Sequence, residues 1–143
     1  MRIIQIAVFL ENKKGRLKEI TDILASQSID IRALSIAETK DFGVIRLIVN
    51  HPDRAYAVLK ANELTVRKTE VLAVEVEDQP GGLNHVLGIL EKNSVNIEYM
   101  YAFVEKASDK ALLVMRFDDL DRAEKILSEN KVSIVKADKI YKN

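Results

Sequence analysis

The second half of this chain repeats the first, and that restricts it to folds built by doubling one small unit. Glu11-Asn12-Lys13-Lys14-Gly15-Arg16-Leu17 returns as Glu77-Asp78-Gln79-Pro80-Gly81-Gly82-Leu83, 66 residues on. The same shift pairs Ile23 with Ile89, Leu24 with Leu90, Ser28 with Ser94 and Ile31 with Ile97. Further along, Asp53-Arg54-Ala55 returns as Asp121-Arg122-Ala123 and Asn62 as Asn130, so the second copy carries a two-residue insertion. The polar run Glu105 to Lys110 is the natural hairpin to hold it. With 143 residues in all, each copy is a small domain, and the boundary falls near Lys68-Thr69-Glu70. The expected domains are therefore 1–68 and 69–143.

Each copy has the same rhythm. Ile3 to Leu10 reads as a strand, apolar apart from Gln5 and so expected to be covered on both faces. A loop ending at Gly15 leads into a helix whose buried stripe is Leu17, Ile20, Ile23 and Leu24. Ile29 to Glu38 is a second strand, Lys40 to Gly43 a turn, and Val44 to Val49 a third strand. Pro52 sits in the first turn of a second helix that buries Ala55, Val58 and Leu59. Leu64 to Val66 opens a closing strand, and Leu64 to Val76 is compatible with either one long strand or two short ones. The second copy repeats the order. Its strands are Val71 to Val76, Val95 to Val104, Ala111 to Phe117 and Val132 to Val135. One helix there carries Leu83, Val86, Ile89 and Leu90, and another carries Ala123, Ile126 and Leu127. Strand–helix–strand–strand–helix–strand is the α+β, ferredoxin-like βαββαβ arrangement: two tandem copies with antiparallel sheets and helices on one face.

Composition narrows the chemistry. There is no cysteine, which excludes disulfides, iron–sulfur clusters and thiol catalysis. Lys+Arg and Asp+Glu number 22 each, so no excess of positive charge attracts nucleic acid or anionic membrane. No apolar stretch approaches the ~20 residues of a membrane span. The apolar start of the chain lacks a charged leader and a small-residue cleavage site, so a cytoplasmic location is expected. An open sheet face also has consequences. Tyr99, Tyr101 and Phe103 lie on one side of their strand and Met100, Ala102 and Val104 on the other, both apolar. The sister unit or another chain is expected to cover the second face, and a homodimer is the simplest form.

Two function classes are poorly served by the residues. An RNA-recognition module needs aromatic platforms on its third strand. Lys40-Asp41-Phe42-Gly43-Val44-Ile45-Arg46-Leu47 offers only Phe42, and the second copy offers nothing comparable. Catalysis needs a nucleophile beside a base. His51 and His85 occupy non-equivalent places and read as a helix-start and a first-turn residue. No catalytic residues and no metal ligands are expected, and no cofactor.

The repeated glycine loop is more informative. Asn12 to Leu17 followed by Ile29-Asp30-Ile31, and Asp78 to Leu83 followed by Val95-Asn96-Ile97, resemble the signature of ACT domains. The resemblance spans both copies. It implies a ferredoxin-like regulatory module that binds an amino acid or similar small effector at an interface between two such units. Gly15 and Gly81 would let backbone N–H groups approach a carboxylate at a helix start. The resemblance then assigns ligand contacts to Asn12 and Asp30 in the first copy and to Asp78 and Asn96 in the second. Each copy thus offers one amide and one carboxylate, in exchanged positions. Lys14 stands where proline is usual, and Leu10 and Val76 where a polar residue is common. Alternatively, Asn12 and Asp78 cap their helices, Asp30 and Asn96 form turns, and the chain is an interaction module that binds no ligand.

Overall fold

A computed structural model of the chain describes residues 2–105 and 108–142. Lys106 and Ala107, in the expected hairpin of the insertion, lie outside the described residues. Twelve elements follow one another: β1 (Ile3–Glu11), α1 (Arg16–Ser26), β2 (Ile31–Glu38), β3 (Phe42–Val49), α2 (Pro52–Ala61), β4 (Thr65–Val76), α3 (Gly82–Lys92), β5 (Ile97–Ala102), β6 (Ala111–Phe117), α4 (Leu120–Glu129), β7 (Ile134–Val135) and α5 (Ala137–Tyr141). The α+β class and antiparallel pairing agree with the sequence expectation.

The chain divides into two compact units, and the boundary falls inside β4, between Thr69 and Glu70. The residues Leu64 to Val76 hold no glycine or proline, and from Thr65 onward they form one strand rather than two. The amino-terminal unit runs from Ile4 to Thr69 and also takes Tyr141 and Lys142; the carboxy-terminal unit runs from Glu70 to Ile140 and takes Arg2 and Ile3.

In the amino-terminal unit the strands lie in the order β2-β3-β1-β4, with β2 at the edge. Alternate residues of β1 and β3 turn to the helices: Ile6, Val8, Ile45, Leu47 and Val49 form one buried cluster with Ile20 and Leu24 of α1 and Ala55 and Leu59 of α2. Asn50 closes the far end. Its Oδ1 accepts from the backbone N–H of Asp30 at 2.8 Å, and its own N–H donates to the Asp30 carbonyl at 3.1 Å. The carboxy-terminal unit has β4 between β6 and β7, with β5 beyond β6. Leu72, Val74, Val86, Leu90, Met115, Phe117, Ala123 and Leu127 fill its core.

Several details depart from the sequence reading. Leu17, expected in the buried stripe of α1, lies in the first turn of the helix and is 41% exposed. Phe9, expected to be covered, is exposed, while Ile6, Ala7 and Val8 before it are buried. Phe42 and Gly43 pair with Glu11 and Leu10 and so belong to β3, not to a turn. The strand expected over Val95 to Val104 is regular only from Ile97 to Ala102, and the closing strand shrinks to Ile134–Val135. On β5, Tyr99 and Tyr101 are half-buried whereas Met100 is exposed. The tail forms helix α5, which has no counterpart in the sequence expectation. Among the described residues no helix is long and apolar enough to cross a membrane.

Candidate functional site

Both glycine loops have the same backbone solution. Gly15 precedes α1 with φ 89° and Gly81 precedes α3 with φ 85°, the left-handed region where a side chain is unfavourable. The first N–H of each helix bonds back into its loop: Arg16 donates to the Lys13 carbonyl at 3.2 Å and Gly82 to the Gln79 carbonyl at 3.0 Å. Asn12 does not take the capping role considered for it. The Asn12 amide instead donates to the carbonyls of Thr39 and Lys40 at 3.3 and 3.4 Å, and its backbone N–H donates to the Asp41 carbonyl at 2.9 Å. Asn12 thus ties the glycine loop to the β2–β3 turn.

The six residues singled out by sequence are all exposed, and within one unit they do not converge. Helix α1 carries the chain back along the sheet, so the loop entering it and the loop leaving it lie at opposite ends. Register shows this directly: Glu11 pairs with Phe42 at the start of β3, and Ile31 pairs with Val49 at its finish. Asn12 and Asp30 are separated by roughly 23 Å of strand. Asp78 and Asn96 are likewise placed beyond opposite ends of β6, which pairs through Val76–Ala111 and Ile97–Phe117. Asp30 forms an ion pair with Arg32. His51 stands at the start of α2 and His85 in the first turn of α3, each as the sequence suggested.

The structure adds residues that sequence reasoning did not select. At the Gly15 end of the amino-terminal unit is a groove of about 620 Å³. Phe9, Leu10, Arg16, Phe42, Glu63 and Thr65 line it, among others. Glu63 has φ 63° and turns α2 toward β4. Arg16 reaches Glu19 at 3.0 Å, and Lys13 reaches Glu11 at 2.8 Å. That hydrogen bond, reinforced by the charge of Lys13, holds the Glu11 carboxyl below the usual carboxylate range. The Arg67 guanidinium lies 5.5 Å from the centre of the Phe9 ring.

In the carboxy-terminal unit a groove of about 450 Å³ lies beside Val71, Ala73, Val135 and Ala137. Arg2 borders it, held by Asp121 and by Glu124 at 3.4 Å.

The model of one family, described as an ACT domain pair, matches residues 1–143. No curated protein matches the sequence. Among solved structures, protein BT0572 from Bacteroides thetaiotaomicron is 42% identical, with a TM-score of 0.92, covering 100% of this chain and 98% of that one. The ligand-free regulatory subunit of aspartate kinase from Thermus thermophilus is 12% identical with a TM-score of 0.63, over 90% of this chain and 93% of that one. E. coli aspartokinase III, in complex with lysine and aspartate, is 19% identical with a TM-score of 0.51. That match covers 90% of this chain and 31% of the other.

Proposed function

The chain belongs to the ACT domain pair family, and on that premise we propose that it is a regulatory module that binds an amino acid and catalyses nothing itself. Each copy, 1–68 and 69–143, is a ferredoxin-like domain in this reading, and the working form is a cytoplasmic homodimer. The observation that carries the proposal is the matched pair of helix starts. Gly15 and Gly81 adopt the same left-handed conformation, each directly before its helix. A helix start of this kind favours a carboxylate, because its first N–H groups have no carbonyl partners within the helix. The aspartokinase III structure, which is similar in fold, holds two amino acids.

Asn12 and Asp78 contribute from the loops, and Asp30 and Asn96 from the strand starts. Since one unit holds its loop residue and its strand-start residue at opposite ends, a site using both draws the second from another copy of the chain. The edge strand β2 is suited to such pairing. Its Leu34 and Ile36 are 38% and 49% exposed.

A thermal-shift screen of the common amino acids tests the reading. Ligand at ~100 times its Kd adds about 2.7 kcal/mol of stability. The expected result is a response that Asp78→Ala or Asn96→Ala abolishes. Silence from every amino acid would leave an interaction module that binds no effector.

A further inference from the structure

We propose that the groove at the Gly15 end of the amino-terminal unit receives the side chain of an aromatic amino acid, and that the equivalent place in the carboxy-terminal unit is closed to it. The inference rests on the amino-acid reading above and adds to it the ligand class and the unit that binds.

The duplication provides an internal comparison. Leu10 pairs with Gly43 in one unit as Val76 pairs with Ala111 in the other, which aligns the two sheets residue by residue. Phe9 then corresponds to Glu75, Phe42 to Lys110, Thr65 to Ser133 and Arg16 to Gly82. In the carboxy-terminal unit the polar side chains at these positions are taken up by neighbours. The Glu75 carboxylate accepts hydrogen bonds from the Ser133 hydroxyl at 2.8 Å and the Ser108 hydroxyl at 2.9 Å. Lys110 lies 3.5 Å from Glu77. Ser108 belongs to the run that makes this copy longer, so the insertion itself supplies part of the plug.

The amino-terminal unit has two phenyl rings at the same positions, Phe9 at 40% and Phe42 at 64% exposure. Leaving them in water is unfavourable, and a planar apolar group packed in the groove they line would shield both from it. Both signs of charge line the groove: the Arg16 guanidinium, which a carboxylate would share with Glu19, and the Glu63 carboxylate, which can accept from an ammonium. The volume falls within the ~300–1,000 Å³ range of small-molecule sites.

Isothermal titration of the full chain with L-phenylalanine, L-serine and phenylacetate tests the assignment. Phe9→Glu and Phe42→Lys install the residues that the other unit already carries, so both are compatible with this sheet. Phe42→Ala is a milder variant at a ring outside the core. L-phenylalanine is expected to bind at least tenfold more tightly than L-serine, and each variant to weaken it tenfold or more. Phenylacetate binding that is lost in the same variants supports the apolar half of the site independently of the ammonium. L-serine binding without L-phenylalanine binding overturns the groove and leaves the amino-acid reading standing. L-phenylalanine binding unchanged in the variants overturns the groove alone, and silence from all three probes overturns the groove while the amino-acid reading is decided by the full amino-acid screen.

Discussion

The hydroxyl of Tyr141 accepts a 2.7 Å hydrogen bond from the backbone N–H of Ile4, joining residues 137 apart in sequence within the amino-terminal unit. Burial raises the Tyr141 pKa above its ordinary value, while the bond from Ile4 opposes the rise. The neutral phenol is therefore the form the fold prefers. Its contribution is complete below the unfolded pKa of about 10 and is lost as pH rises through the higher folded value. Tyr141→Phe should cost about 1 kcal/mol at neutral pH, through the unsatisfied Ile4 N–H. It should also flatten the loss of stability above pH ~10. Chemical denaturation followed at several alkaline pH values checks both effects.

Two glycines of α3 should respond in opposite directions. A Cβ at Gly82 would stand 1.8 Å from the Glu77 carbonyl oxygen, backbone against backbone, whereas one at Gly88 meets nothing within 4 Å. Gly82→Ala is expected to destabilise by about 3 kcal/mol or more, as overpacking with no flexible neighbour to move. Gly88→Ala, in a helix interior, should stabilise by about 0.8 kcal/mol. Paired urea melts of the two variants measure the contrast.

Glu75 gives the carboxy-terminal unit an acid dependence. The hydrogen bond from Ser133 lowers its pKa most, opposed by desolvation and aided by Ser108. A depressed carboxylate pKa contributes stability above the unfolded value near 4.5, and that stability disappears as pH falls through the folded value. Glu75→Gln should cost about 0.5 kcal/mol at pH 7, where solvent screens a partly exposed group, and less at pH 3. Thermal melts at the two pH values, wild type against variant, show whether the difference narrows.

Edge strand β2 should carry self-association. Ile36→Lys and Leu34→Lys place a charge on an exposed strand edge, a device that discourages pairing between sheets. Light scattering on the eluting protein is expected to give a dimer mass for the wild type and a monomer mass for the double variant. An unchanged mass would remove β2 from the interface.

Much of the layout is legible in the sequence, and the gaps have physical causes. The repeat places Gly15 and Gly81 at corresponding helix starts, because only glycine adopts their backbone angles without penalty. The apolar stripe finds Ile20, Leu24, Val86 and Leu90 in the cores. Helix α5 escapes because Ile140 and Tyr141 alone do not establish a period. The placement of Asn12 relative to Asp30 escapes for a different reason. A motif read along the chain gives spacing, while strand direction decides which end of the sheet each residue reaches. Phe9 escapes because it closes an apolar run, where alternation cannot show which face is buried; Phe42 escapes because glycine beside it reads as a turn.

The two termini each belong with the opposite half of the molecule: Arg2 and Ile3 go with Glu70 onward, and Tyr141 and Lys142 with the residues before Glu70. Severing the polypeptide at the midpoint of β4 would thus strip each half of an outlying fragment as well as of its neighbour. Anyone wanting a single-copy domain would have to graft Tyr141 and Lys142 behind Thr69, or Arg2 and Ile3 ahead of Glu70, instead of simply trimming at the repeat.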